Sequence, residues 1–374
     1  MTVATSDGAC EAIHPYFGWV HNSQVSKAEE IFGKEIPVNR LGFQDDNESI
    51  QKRSSDRFIL GIVGGSVAWQ TSVAGSEIIK ARLGSHPAIH GRRVEIVRLA
   101  TSGYKQPQQV MALNFVQVLG GEFDAVVNID GYNEVALALA ENGRLGTAIS
   151  YPRSWHTRVI SALNPESYAA AARLLQLRGS RQQAAKDLLG SKFRWSPLRN
   201  LVWLASEQTK LAETIDLGME VSRNRTDSFV NHGPQDGLSD ESQMENSAID
   251  LWRRSSVQLQ SLCHASDTVY LHVLQPNQYV AGSKVLSDQE KNDYFAPNGE
   301  LGDVIKEIYP RLVAESAWLK TAGVAFSDQT MLFVDIAETI YCDPFCHYNQ
   351  RGNEMLATAV AEEPARLIPT STAP

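Results

Sequence analysis

The sequence predicts an α/β domain: a three-layer α/β/α sandwich with a central, mostly parallel sheet of about five strands, interrupted by a helical insertion. Three observations lead there. Four short, apolar, β-branched runs read as buried parallel strands: Phe58 to Val63, Val94 to Ala100, Ala125 to Asp130 and Thr268 to Gln275. Helical patterns lie between them, and strands that alternate with helices build a parallel sheet. The length of 374 residues exceeds what one small core needs and leaves room for a large insertion.

Taken in order, the first 50 residues form an N-terminal extension. Its cluster His14-Pro15-Tyr16-Phe17-Gly18-Trp19 is dense in aromatics, which pack such a segment onto a domain edge. The core is predicted over 51–135 and 266–374. Gln106-Pro107 opens a helix that sets Met111, Phe115 and Val118 on one face at i, i+4 and i+7. A fifth, weaker strand is predicted at Met331 to Asp335. One helix covers about Leu301 to Lys320, and a last one starts near Asn349 and ends before Pro364.

Residues 136–265 break the rhythm and read as the insertion. Asn164-Pro165 and Ser196-Pro197 each place a capping residue before a proline at the first helical position. After the second of these, Leu198, Leu201, Val202 and Ala205 share one helical face. Residues 222–246 are polar, contain Gly233-Pro234 and show no period, so a mobile loop is expected there. The insertion serves either as surface decoration or as a lid over a site.

Composition narrows the function classes. Hydrophobic residues make up 43% and charged residues 21%, ordinary globular values. A net charge of −9 and a pI near 5.5 point away from nucleic acid and from anionic membrane as partners, since both select basic surfaces. No apolar run approaches the length of a membrane span. The N-terminus carries neither a basic nor an apolar leader region, so a cytoplasmic protein is expected. Four cysteines in this length do not make a disulfide framework.

Four blocks could carry chemistry. Gly64-Gly65-Ser66 follows the first core strand, where two glycines let the backbone turn sharply and a serine projects its hydroxyl into the crevice beyond the sheet. By itself this serine could equally be a helix cap. A phosphate-binding turn fits less well: the glycine spacing is not G-x-G-x-x-G and no Lys-Ser/Thr follows. Thr101-Ser102-Gly103-Tyr104 ends the second strand, and Gly103 can bring its N–H close to a bound oxygen. Asp130-Gly131-Tyr132-Asn133-Glu134 ends the third, and Asn133 offers an amide donor at the same sheet edge; Asp130 is read as capping the strand and Glu134 as opening a helix. Cys342-Asp343-Pro344-Phe345-Cys346-His347 precedes the last helix. A serine nucleophile needs a base, and the base needs a carboxylate to fix its tautomer; His347 and Asp343 supply both from one loop. Cys342, Cys346 and His347 fall short of the four ligands a structural zinc needs, so no metal is expected. Gln275, at the end of the fourth strand, is either a turn residue or a substrate contact.

These blocks, in this order, resemble the SGNH (GDSL-like) hydrolase superfamily: a serine in a G-x-S turn, a glycine, a G-x-N, then an Asp and a His near the C-terminus. Asn349, Gly352 and Asn353 before an Ala/Leu-rich helix resemble the family's closing motif. The resemblance covers 58–135 and about 268–362, not the insertion. It implies a flavodoxin-like SGNH hydrolase fold. It also implies a serine esterase with a catalytic triad of Ser66, Asp343 and His347, and an oxyanion hole of the Ser66 and Gly103 N–H groups with the Asn133 amide. Gly65, Tyr104 and Gln275 are the candidate substrate contacts. The implied substrate is a short acyl or acetyl ester of a sugar or small metabolite, with no cofactor. An acyltransferase using the same acyl-enzyme, or a non-catalytic ligand-binding protein on this fold, would keep the same framework. The chain departs from the family twice. Gly65 stands where Asp is common, and three residues instead of two separate Asp343 from His347, so contact between them requires a one-residue bulge.

Overall fold

The computed structural model describes residues 11–24, 28–159, 165–223, 240–295 and 300–368. Two short antiparallel hairpins come first, β1 (Glu11–His14) with β2 (Gly18–His21) and β3 (Glu29–Ile31) with β4 (Lys34–Ile36). The main sheet contains β5 (Arg57–Gly64), β6 (Arg93–Arg98), β7 (Ala125–Asp130), β8 (Val269–Leu274) and β9 (Phe326–Asp328). Its order is β6-β5-β7-β8-β9 and every neighbour is parallel. Counting core strands alone this is 2-1-3-4-5, a doubly wound order whose winding reverses beside β5 and opens a crevice beyond the carboxyl ends of the strands.

The helices are α1 (Ser66–Ala74), α2 (Ser76–Gly84), α3 (Gln108–Val118), α4 (Tyr132–Val135), α5 (Trp155–Arg158), α6 (Pro165–Gly190), α7 (Pro197–Arg223), α8 (Glu241–His264), α9 (Glu300–Ala314), α10 (Ser316–Thr321) and α11 (Gln350–Leu367). Phe58, Ile59, Leu60, Ile62 and Val63 of β5 are all buried, so successive residues meet apolar partners on opposite faces of the sheet. Helices α1, α2 and α11 cover one face, while α3, α8, α9 and α10 cover the other.

The four apolar runs form strands within a residue or two of their expected ends, but several details differ. The edge strand is Phe326–Asp328, not Met331 to Asp335. The Asp328 side chain accepts the Thr330 N–H at 2.9 Å, which turns the chain out of the sheet before the longer apolar run is reached. Helix α3 faces the sheet with Val110, Leu113 and Val116, whereas Met111 and Val118 are exposed and Phe115 packs sideways on His14 and Phe17. Helix α11 continues through Pro364, which stands in its last turn and removes the N–H that would have met the Val360 carbonyl. Glu241 to Asn246, inside the expected loop, belong to α8, which Asp240 caps by accepting the Ser242 N–H. The rest of that loop, 224–239, and the capping residue Asn164 lie outside the described residues. Helix α8 falls inside the stretch read as insertion, yet it buries Trp252, Leu259 and Cys263 in the main core. Helices α6 and α7 stand apart from it, packed chiefly on each other.

The N-terminal aromatics sit on the α3 edge. His14 stacks on Phe17 and meets Phe115 edge-on, and Trp19 packs edge-to-face on Tyr104. A buried ion pair ties this extension to the sheet. Asp45 accepts the Arg98 N–H at 2.6 Å and its guanidinium at 2.7 Å, while the same guanidinium reaches the Ser72 hydroxyl of α1 at 3.0 Å. Extension, β6 and α1 therefore share one charged cluster. Asp45→Ala should lower unfolding free energy by about 3–5 kcal/mol, because among the described residues it leaves the buried guanidinium only the exposed Asp46 carboxylate, at 3.7 Å, as an ion-pair partner. Urea denaturation of the purified variant measures this.

Candidate active site

The end of β5 sets the geometry. Gly64 adopts φ +147°, and a Cβ there would stand 2.3 Å from the Ile129 carbonyl oxygen of the neighbouring strand. The chain can turn this tightly only without a side chain. Gly65 is then the N-cap of α1, and Ser66 is the first helical residue. The positive end of α1 thus lies at the serine.

Three further segments converge on it. The loop after β6 carries Gly103 at φ +83°. The segment after β7 brings in Asn133, whose Nδ2 lies where a Cβ on Gly65 would be, 2.3 Å away, and donates to the Tyr104 carbonyl at 2.7 Å. That bond uses one of the two amide N–H groups and leaves the other available beside Gly65. Neither the Ser66 nor the Gly103 backbone N–H has an acceptor among the described residues. The C-terminal loop delivers His347, whose Nε2 lies 2.7 Å from Ser66 Oγ and whose Nδ1 lies 2.5 Å from Asp343 Oδ2. A carboxylate only accepts, so Nδ1 carries the proton and Nε2 is free to take one from the serine.

The extra residue between Asp343 and His347 is absorbed at Cys346, which adopts φ +63°. The left-handed turn folds His347 back over Asp343, whose Oδ1 accepts the Phe345 N–H at 2.7 Å and the His347 N–H at 3.3 Å. Burial pulls the Asp343 carboxyl up, but the hydrogen bond and charge of His347, with those two N–H groups, outweigh it and hold Asp343 below its ordinary range. The loop after β8 props this turn from beneath. Gln278 Nε2 donates to the Asp343 carbonyl at 3.0 Å, Tyr279 Oη to that of Pro344 at 2.9 Å, and Tyr348 Oη to that of Pro276 at 2.7 Å.

Two candidate contacts are buried. Tyr104 is fully buried and its hydroxyl donates to the Trp19 carbonyl, so its side chain leaves the crevice for the N-terminal hairpin and only its backbone belongs to the site. Gln275 is also buried, with its backbone carbonyl accepting the Tyr309 hydroxyl at 2.7 Å, and its side-chain Nε2 has no partner among the described residues. Gly65 leaves room for the Asn133 amide. Arg153 was not legible in the sequence. Its side chain crosses Gly103, where a Cβ would meet Arg153 Cδ at 2.6 Å, and its guanidinium pairs with Glu141 at 2.9 Å. Tyr132, between Gly131 and Asn133, has a buried hydroxyl with no partner among the described residues.

A second Asp–His–Ser array lies in the core. His272 Nε2 contacts Asp130 Oδ1 and its Nδ1 contacts Ser256 Oγ, both at 2.8 Å, with Trp252 Nε1 also donating to Asp130 at 2.8 Å. Asp130 is thus an anchor of the core as well as the end of a strand. The His272 and Asp130 side chains are 0% and 1% exposed, against 20% and 29% for His347 and Asp343. Solvent access separates the two arrays: only the Ser66 site can meet a substrate. Among the described residues no group of three His, Cys, Asp or Glu is placed to hold a metal, and Cys346 donates instead to Asn277 Oδ1 at 3.3 Å.

Compared with known proteins, the chain matches no protein-family model, and no curated protein matches it significantly.

Glu134, next to Asn133, caps α4 through the Gly131 N–H at 2.8 Å and holds Gln109 Nε2 at 2.9 Å. Burial first, then the Asp130 charge, push its pKa up to about 8. The folded state therefore keeps a proton that the unfolded chain releases near its ordinary value of 4.5, and stability falls as pH rises from there toward 8. Lys105, facing Glu134, is pushed down to about 7 by burial and perturbs stability only above that pH. Between roughly pH 5 and 7, thermal unfolding should show Glu134→Gln with a flatter decline than the native protein, by up to about 1.4 kcal/mol per pH unit.

Proposed function

We propose that this chain is a serine hydrolase of the SGNH type that cleaves a carboxylic ester through an acyl-Ser66 intermediate. The observation that carries the reading is the unbroken relay from Asp343 through His347 to Ser66, at 2.5 and 2.7 Å, on solvent-accessible side chains. The four converging segments, the doubly wound strand order and the left-handed turn at Cys346 support it further.

Ser66 Oγ attacks the acyl carbonyl as His347 Nε2 takes its proton. The negative charge that develops on the carbonyl oxygen is met by the Ser66 and Gly103 N–H groups and the second N–H of Asn133, at the positive end of α1. Because these donors stand in place beforehand, no reorganisation is needed as the charge forms. Asp343, ionised at neutral pH, holds the ring and stabilises the imidazolium. His347 then gives the proton to the departing alkoxide oxygen as the ester C–O bond breaks. Water attacks the acyl-serine with His347 again as base, which frees the acid and restores the hydroxyl.

The roles rank the variants. Ser66→Ala should lower turnover of a p-nitrophenyl ester by on the order of 10⁶ and abolish covalent labelling by a fluorophosphonate. Asp343→Asn should cost about 10⁴, through loss of the correct tautomer. Asn133→Ala removes one of three donors and should cost about 10² to 10³. A panel of esters of increasing acyl length, run on the native protein and on Ser66→Ala, checks the scheme; ester cleavage at the native rate by Ser66→Ala would end it.

A further inference from the structure

The helical hairpin of α6 and α7 is built in two halves. At its root Ala170, Ala171, Leu174 and Leu177 are buried. From Arg178 through Met219 no residue is buried, and the two helices are held in antiparallel register by Arg173–Glu213 at 2.8 Å and Arg181–Glu207 at 2.5 Å. The 13 residues of α6 beyond Leu177 extend the arm by roughly 20 Å at 1.5 Å per residue.

Its tip is apolar and exposed. Trp195 is 82% exposed and Phe193 68%, both in the turn between the helices, with Leu189, Leu198, Leu201 and Val202 exposed beside them. The face of α7 that the sequence marks as apolar is therefore uncovered among the described residues. Patches of this kind on a single chain mark an interaction surface.

Charge names the partner. From Leu188 to Ser206 there are three basic residues, Lys192, Arg194 and Arg199, and no acidic one, in a chain whose net charge is −9. All three are exposed, and the Arg194 guanidinium lies 5.4 Å from the centre of the Trp195 ring. A second copy of the chain would bring the same three cations against this patch, so like charges would face each other. A surface of anionic lipid supplies the opposite charge, takes Trp and Phe at headgroup depth, and accepts the leucines just below it. We propose that the tip of the α6–α7 hairpin docks on the surface of an anionic bilayer, with Phe193, Trp195 and Leu198 inserted and Lys192, Arg194 and Arg199 on lipid headgroups. No helix among the described residues is long and apolar enough to cross a membrane, so the contact is interfacial. It does not depend on the chemistry proposed for Ser66.

Flotation of the full chain with vesicles tests this. The protein should rise with phosphatidylcholine–phosphatidylglycerol vesicles at low salt, and far less with phosphatidylcholine alone or at high salt. The combined variant K192E/R194E/R199E should bind the anionic vesicles on the order of a hundredfold more weakly, from about 1 kcal/mol per basic residue. F193S/W195S should also fail to float, while far-UV circular dichroism and fluorophosphonate labelling stay native. The proposal is overturned if the native protein stays at the bottom with anionic vesicles at low salt, or if the charge-reversed variant floats as well as the native protein. A dimer in sedimentation velocity that F193S/W195S dissolves would also overturn it, by assigning the patch to a second copy.

Discussion

The close packing of α1 against α11 is the constraint on which the site depends. Gly75, at the end of α1, lies so near the C-terminal helix that a Cβ on it would stand 2.0 Å from that of Ala357. One turn earlier, Thr71 Oγ1 donates to Asn353 Oδ1 at 3.0 Å, and the Asn353 amide in turn holds the Tyr348 carbonyl at 2.8 Å. The helix that begins with Ser66 is thereby bonded to the helix that follows His347. Two side chains 281 residues apart meet at 2.7 Å because the elements behind them cannot separate. Proton transfer of the kind proposed for this pair tolerates only about half an ångström of misplacement, which this stiffness would secure.

The core array of Asp130, His272 and Ser256 makes a useful contrast. Its distances match those of the Ser66 site, and the two contain the same residue types. In the core, Asn128, Trp252 and Gln106 also donate to the Asp130 carboxylate. The charge is fully satisfied and has no task besides holding β7, β8 and α8 together. At the crevice, the backbone N–H groups of Ser66 and Gly103 keep no acceptor among the described residues. Those unmet donors beside the Ser66–His347 pair are what sets the crevice apart from the core array, and the proposed oxyanion hole rests on them.

The sheet was largely legible because buried parallel strands are continuous apolar runs, and six or eight such residues bounded by turn formers fit little else. The edge strand was missed because it is only three residues long and its turn is set by Asp328, not by hydrophobicity. The buried face of α3 was assigned one step off. Its apolar residues surround most of the helix, and only the positions of the sheet and of the N-terminal aromatics decide which of them point inward. Ser66, Asn133, Asp343 and His347 could be picked out because each sits at the end of a strand or in the last loop. Arg153 could not, since a lone arginine in a helical stretch carries no local mark. The net charge averages over the chain and does not register the positive, acid-free stretch of 19 residues at the hairpin tip.

By itself the sequence determined the α/β class, the four apolar runs of the parallel sheet, and the residue types available at their ends. Those follow from local apolar pattern and from where glycine interrupts it. Only the tertiary structure decided that Cys346 takes a left-handed turn that restores the Asp343–His347 contact, that Tyr104 turns away to Trp19, and that α8 joins the core while α6 and α7 do not. Each of these is settled by which distant surface a residue meets, and the free energy of that meeting has no counterpart within a short window of chain.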